Sequence, residues 1–242
     1  MSSGRVAPPK VLAIIPARGG SKGIKRKNLL QFNGKTLVAH SIVHASQARL
    51  VNRVIVSTDD EEIRRVALDC GAELPFLRPP ELAEDHVLDL PVFEHALRFL
   101  EEQESYRPDL VVHLRPTAPY RKSEWIDECI TLLQNRPDAD SVRSVSQPDK
   151  HPYRMFYIDR DGFLDPIMKG ENPVPYLLRR QDLPQVYYYN CVIDVTRPVT
   201  IFRKKSMTGD FILPYVMNPD DVIDIDTPRD LRIAECLFGG KA

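Results

Sequence analysis

Short apolar runs alternate with amphipathic stretches over roughly the first 140 residues of the chain. "VLAIIPA" (11–17) has no polar alternation, the pattern of a strand covered on both faces. "RVIVSTDD" (53–60) predicts a second buried strand, and "DLVVHLRPTAP" (109–119) a third that runs into a proline-bounded loop. Between them the period changes from strand to helix. Residues 36–49, "TLVAHSIVHASQAR", predict a helix capped by Thr36. Ile63, Val66, Ala67 and Cys70 fall at i, i+3, i+4 and i+7, a helical stripe that ends before Gly71. Phe93, Ala96, Leu97 and Leu100 repeat that spacing, and so do Ile126, Cys129, Ile130 and Leu133, with Ser123 expected as N-cap. Alternating strand and helix predicts an α/β fold, a mostly parallel sheet flanked by helices through right-handed crossovers.

The register changes after about residue 140. "DSVRSVSQ" (140–147), "YRMFYIDRDGFLDPI" (153–167) and "VYYYNCVIDVTRP" (186–198) read as strands, the middle one with a hairpin turn at Asp161-Gly162. A proline-rich, irregular stretch, 165–185, lies between the last two. We read 1–242 as one domain carrying 148–186 as an inserted, projecting segment. That segment is too short for a core of its own, so it is expected to pack on a second subunit in a homodimer. A last helix is predicted after Thr227, with Pro228 at its first position and Asp230 three residues past the cap.

Bulk composition narrows the partners. Hydrophobic residues make up 43% of the chain and charged residues 28%, ordinary for a globular domain. The net charge of −1 gives no reason to expect nucleic acid or a membrane surface. Cys70, Cys129, Cys191 and Cys236 form no CxxC pair, which suits reduced thiols and a cytoplasmic protein. No apolar run approaches the ~18–20 residues needed to span a bilayer, and "MSSGRVAPPK" carries no signal-peptide core.

Against that neutral background "PARGGSKGIKRKN" (16–28) places three glycines and five basic residues together with no acid. Ligands of parallel sheets bind outside the carboxyl ends of strands, so a loop after the first strand is where phosphates would sit. Glycines let backbone N–H groups approach an anion, and lysines neutralise it. Neither familiar glycine loop fits. The Walker pattern fails because Ile24 and Lys25 follow Gly23, and the dinucleotide pattern fails because Arg18 occupies its first glycine. Read alone, the run also fits a solvated turn.

A second constellation is "DVIDIDTP" (221–228). In a strand, Ile223 and Ile225 would face one side and Asp224 and Asp226 the other, with Cα atoms of same-face residues roughly 6–7 Å apart. Two such carboxylates can hold one Mg²⁺ together with substrate phosphates. A pair of solvent-facing acids would read the same way, and D-x-D is also a metal motif of glycosyltransferases.

The segments "ARGGSKGIKRKN", "VIVSTDD", "LRPPELAED", "LRPTAPYR", "RRQDLPQVYYYN" and "DIDTPRDL" resemble, in order, successive blocks of the N-acylneuraminate cytidylyltransferase family, over residues 11–232. The resemblance implies a Rossmann-like nucleotidyltransferase fold and transfer of CMP from CTP to an acidic α-keto sugar, with pyrophosphate released. It implies that Arg18 and Lys27 grip the triphosphate with Gly19, Gly20, Ser21 and Lys22, that Asn28, Arg78 and Arg115 contact the nucleotide, and that Asp224 and Asp226 carry Mg²⁺. It places the sugar against Arg154, Arg180, Gln181 and Asn190. Two positions depart from the family pattern: Arg115 stands where glutamine is usual, and Cys191 follows Asn190 where glycine is usual.

Other residues read as structural. His113 sits inside a strand as a core residue. His40 and His44 are four apart on one helical face but lack a third metal ligand. Of Tyr187, Tyr188 and Tyr189, at least one is expected to be buried. Asp59 and Asp85 are loop acids that serve a cap or the site. The competing function classes are a nucleotidyltransferase acting on a sugar 1-phosphate and a non-catalytic nucleotide binder; the second has no use for intact aspartates beside an intact phosphate loop.

Overall fold

The structure, a computed structural model, describes residues 8–169 and 174–240. Strand β1 (Val11–Pro16) is followed by the glycine-rich loop and a small hairpin of β2 (Gln31–Phe32) and β3 (Lys35–Thr36). The hairpin turns at Asn33-Gly34, both with positive φ, 46° and 76°, as a tight two-residue turn requires. Helix α1 (Leu37–Gln47) begins where the Thr36 hydroxyl accepts from the Ala39 amide. Then come β4 (Arg53–Ser57) and α2 (Glu61–Asp69), which ends through Cys70 into Gly71 at φ 84°. The Asp60 carboxylate caps α2 by accepting from the amides of Glu62 and Ile63.

Helix α3 (Asp89–Glu104), β5 (Leu110–His113), α4 (Ser123–Gln134) and β6 (Ser141–Ser146) follow. The expected cap of α4 is corrected: Lys122 holds the N-cap position without a side-chain bond, and Ser123 is already helical with its hydroxyl turned to Gln47. The chain continues through β7 (Phe156–Ile158), β8 (Leu164–Pro166), β9 (Tyr188–Thr196), α5 (Pro198–Lys204), β10 (Ile212–Val216) and α6 (Pro228–Phe238). At α6 the capping box is complete: Thr227 accepts from the Asp230 amide, and the Asp230 carboxylate accepts from the Thr227 amide.

The central sheet has the order β10-β6-β9-β5-β1-β4. Strand β1 pairs in parallel with β4 and β5, and β6 in parallel with β10. Strand β9 runs antiparallel between β5 and β6, so the sheet is mixed at that point. Alternate residues of β1 serve two cores. Val11, Ala13 and Ile15 pack toward α1, α2 and α4, while Leu12 and Ile14 pack toward Phe93, Ala96 and Leu97 of α3. At roughly 1.5–3 kcal/mol for each large side chain fully removed from water, these two layers hold the strand ends rigid beneath the loops.

Residues 221–227 do not form the expected strand. After a 3₁₀ turn at Pro219–Asp221 the segment is extended but unpaired, tied down by the Ile225 amide donating to the Thr117 carbonyl at 2.7 Å. Ile225 alone is fully buried there. The segment expected at 148–186 contains the β7–β8 hairpin, turning at Gly162 with φ 87° as the Asp-Gly pair predicts; its residues 170–173 lie outside the described residues.

Candidate active site

A cavity of about 330 Å³ opens at the carboxyl ends of β1 and β5. One end is formed by the first loop. Close approach shapes that loop: a Cβ on Gly19 would meet the Asp60 carboxylate at 2.7 Å, and one on Gly23 would meet the Asp226 carbonyl at 2.6 Å. Only glycine permits these contacts, so the loop is pressed against α2 on one side and the 221–227 segment on the other. Asp59 accepts from the Gly19 amide at 3.0 Å, and buried Asn28 donates to the Arg18 carbonyl at 2.8 Å. Asn28 thus braces the loop from behind.

The loop cations rest on acids. Arg18 and Lys22 share Asp85, each at 2.6 Å, and Lys27 holds Asp226 at 2.7 Å. Arg26, with φ 55°, is turned away to Asp60 and Glu62. These pairs, each with a solvent-reached carboxylate, contribute little to stability, so an incoming polyanion can take the cations from their partners at small cost. Of the residues expected at the nucleotide, Arg18, Ser21, Lys22, Lys27, Asn28, Arg78 and Arg115 line the cavity; Gly19 and Gly20 shape the loop without lining it.

Leu82, Val87, Leu88 and Val92 add apolar walls to the same cavity, beside two arginines. The Arg78 guanidinium, 4% exposed, donates to the Ser57 hydroxyl and carbonyl at 3.0 and 2.6 Å, and burial lowers its pKa to about 10. Arg115 donates to Asp89 at 2.6 Å, to Asp194 at 3.1 Å and to the Tyr189 hydroxyl. Burial opposes the Arg115 charge, and the carboxylates more than offset it, so its pKa is raised. Asp194, 3% exposed, also accepts from Arg143 at 2.9 Å and from Tyr189 at 2.5 Å. Tyr189 is thereby the tyrosine drawn inward, half-buried, while Tyr187 and Tyr188 stay exposed. Below this network His113 is fully buried, and burial pushes its pKa down to about 4.

Asp224 and Asp226 border the loop end. Burial above all, and the neighbouring Asp226 charge, raise the Asp224 pKa, while Thr117 and Cys191 act on the same carboxylate in the opposite direction. Its Oδ1 is enclosed without a hydrogen-bond partner. An orphaned buried carboxylate oxygen beside a second carboxylate fits a hard cation, which satisfies both. Among the described residues no three His, Cys, Asp or Glu side chains are arranged to hold a metal, so such an ion needs phosphate oxygens and water for the rest of its shell. Cys191 adopts φ 64°, a conformation in which glycine is at ease and other residues are strained.

The four residues expected at the sugar do not converge on this cavity. Asn190, 2% exposed, is engaged within the fold, accepting from Ser144 at 2.6 Å and donating to Ser146 at 3.0 Å. Arg154 is exposed and donates to the Leu178 carbonyl at 2.8 Å. Arg180 and Gln181 are exposed in a short turn, Arg180–Asp182, where Arg179 takes Asp182 at 2.7 Å. The His40 Nε2 meets the Phe32 carbonyl at 2.7 Å.

Asp89, Asp194 and Arg143 escaped the sequence reading. One signal was available: a charged Arg115 at the end of a buried strand demands a carboxylate, and Asp194 lies opposite His113 on the neighbouring strand.

Residues 12–208 match the family described as Cytidylyltransferase. The chain is 33% identical over 236 residues to pseudaminic acid cytidylyltransferase of Campylobacter jejuni, covering 95% of this chain and 96% of that protein. It is 32% identical over 225 residues to an N-acylneuraminate cytidylyltransferase of Escherichia coli, covering 93% of this chain but only 51% of the relative; this chain therefore spans about half of that protein's length. In fold it superimposes on a CMP:2-keto-3-deoxy-manno-octonic acid synthetase complexed with CTP, with a TM-score of 0.71 at 16% identity over 96% of this chain and all of the other.

Proposed function

The chain belongs to the cytidylyltransferase family, and from that premise we propose that it transfers CMP from CTP to an acidic α-keto sugar of the sialic acid or nonulosonate type. The observation that carries this reading is one cavity lined both by a cation loop that borders paired aspartates and by apolar side chains beside Arg115 and Asp89. A triphosphate fits the cation loop and a base the apolar walls.

In the reaction a sugar hydroxyl oxygen attacks the α-phosphorus of CTP. The bond from that phosphorus to the bridging oxygen breaks, pyrophosphate leaves with the electron pair, and the hydroxyl proton passes to solvent. The transition state spreads charge over the phosphoryl oxygens and the leaving group. Arg18, Lys22 and Lys27 are placed to stabilise that charge once released from Asp85 and Asp226. Asp224 and Asp226 would hold Mg²⁺, which supplies Lewis-acid stabilisation of the phosphate oxygens. Arg154 and Arg180 are the cations available to a sugar carboxylate from the projecting segment; a guanidinium holds such a group through two parallel hydrogen bonds.

The projecting segment supports a homodimer. It exposes Ile158 by 74%, Phe163 by 71% and Leu177 by 72%, apolar surface that a second copy would cover. The cysteines are free thiols, which suits a cytoplasmic setting, and no described helix is long and apolar enough to cross a membrane.

The test is a pyrophosphate-release panel crossing four nucleoside triphosphates with keto-acid sugars and sugar 1-phosphates. Turnover confined to CTP with a keto-acid sugar, and abolished by EDTA, is expected. Turnover only with a sugar 1-phosphate, or undiminished turnover in EDTA, would overturn the reading.

A further inference from the structure

Leu82, Val87 and Val92 line the same cavity and offer apolar walls for a flat ring. An acid also opens there. Asp89, the first residue of α3, lines the cavity with its side chain 37% exposed. An anion is a poor choice for a cavity built around a polyanion, since like charges repel across a partly desolvated space. Its presence calls for a donor on the ligand.

The geometry of Asp89 is fixed. Its Oδ2 accepts from Arg115 at 2.6 Å, and Arg115 is held from behind by Asp194 at 3.1 Å, so the guanidinium has carboxylates on two sides. Among the described residues nothing hydrogen-bonds the other Asp89 oxygen, Oδ1. Burial works to raise the Asp89 pKa, and its charged surroundings, His113 and Arg115 foremost, bring it below the usual range. The cavity therefore presents a rigid edge made of an acceptor beside a donor.

That edge distinguishes two pyrimidines. Cytosine offers an amino donor at position 4 next to acceptors at N3 and O2; uracil offers an acceptor at position 4 next to an N3–H donor. Building on the cytidylyltransferase reading, we propose that Asp89 accepts from the exocyclic amine of cytosine and, with Arg115 beside it, determines the preference for CTP over UTP. Uracil would set its O4 against the carboxylate and leave Oδ1 unsatisfied in a confined space, and a site built to bond a donor rejects a ligand lacking it far more strongly than an apolar pocket could.

The experiment measures equilibrium binding by calorimetry of CTP, UTP and the CTP analogue with hydrogen in place of the 4-amino group. It compares the wild-type chain with Asp89→Asn, and uses inorganic tripolyphosphate to monitor the loop end. The wild type should bind CTP at least about tenfold tighter than either other nucleotide. In Asp89→Asn, whose amide can present oxygen or nitrogen to the base, the three affinities should converge to within about threefold while tripolyphosphate binding holds within about twofold. If Asp89 only steadies Arg115, the variant will weaken all three nucleotides together and keep their ratios, which overturns the inference. Should the variant fail to fold, equal wild-type affinity for CTP and the amine-less analogue would overturn it alone. A wild type with no preference for CTP over UTP overturns this inference and the functional reading together, whereas preference for CTP without sensitivity to the amine removes the inference and leaves the reading standing.

Discussion

The cavity end of the molecule rests on Leu12, Ile14 and Leu114, all without solvent exposure, whereas the β7–β8 projection shows Ile158, Phe163 and Leu164 to solvent at 65–74%. In the first region Arg18, Lys22, Lys27, Arg78 and Arg115 all have partners, down to the Asp194 that serves Arg115, Arg143 and Tyr189 at once. In the second, two three-residue strands pair only with each other. A short isolated hairpin is marginal in water, so this region needs a surface the cavity does not need. The contrast separates what one chain can complete, the nucleotide end, from what we propose a pair of chains completes.

The largest expected effect comes from the projection. Ile158→Asp with Phe163→Asp should weaken self-association more than hundredfold, since each side chain forfeits roughly 1.5–3 kcal/mol of burial at an interface. Analytical ultracentrifugation should show monomer, and CTP binding should persist; loss of both together would erase the distinction between the regions. Asp226→Asn should do the reverse, leaving association intact and lowering kcat by about a hundredfold, ~3 kcal/mol of transition-state stabilisation. A variant that melts normally and keeps near-native turnover would remove the metal role from this residue.

His113 probes the floor under the cavity. Its folded pKa of about 4 lies below its ordinary 6.5, so the unfolded chain binds the proton first on acidification. The stability it supports is complete above pH 6.5 and is lost as pH falls toward 4. Chemical denaturation from about pH 7 to about pH 5 should reveal a loss of about 2 kcal/mol that His113→Gln lacks. An identical pH dependence in the variant would place the acid sensitivity elsewhere. Smallest is Arg180→Ala, expected to raise KM for the sugar about tenfold, about 1.4 kcal/mol, with KM for CTP within about twofold. A change confined to CTP would detach the projection from the sugar.

Legibility in the sequence followed the same division. Strands β1, β4 and β5 were readable because burial on both faces leaves an unbroken apolar run, and α6 because Thr227, Pro228 and Asp230 form a local cap needing no tertiary partner. Ser123 misled because a serine at a helix start can cap or be the first helical residue, and its hydroxyl found Gln47 instead. The 221–227 segment misled because alternation of Ile and Asp fits any extended chain, paired or not, and here Ile225 alone is buried. Strand β10 went unread: Pro214 interrupts it, and only its place at the sheet edge makes that tolerable. Asp89 and Asp194 were invisible for a different reason. Their meaning lies in Arg115, 26 and 79 residues away, and no local pattern encodes such a meeting.

The contact of Gly23 with the Asp226 carbonyl has a consequence in the order of synthesis. Lys27 and Asp226 are separated by 199 residues, so a ribosome makes the cation loop long before the acids that face it. A nascent or prematurely terminated chain that carries the cation loop lacks both carboxylates proposed for the metal. Competence is withheld until the 221–227 segment threads back against Gly23, where any side chain would bar its seat. One hydrogen atom in place of a methyl group thus joins the early and late products of translation into a single working site.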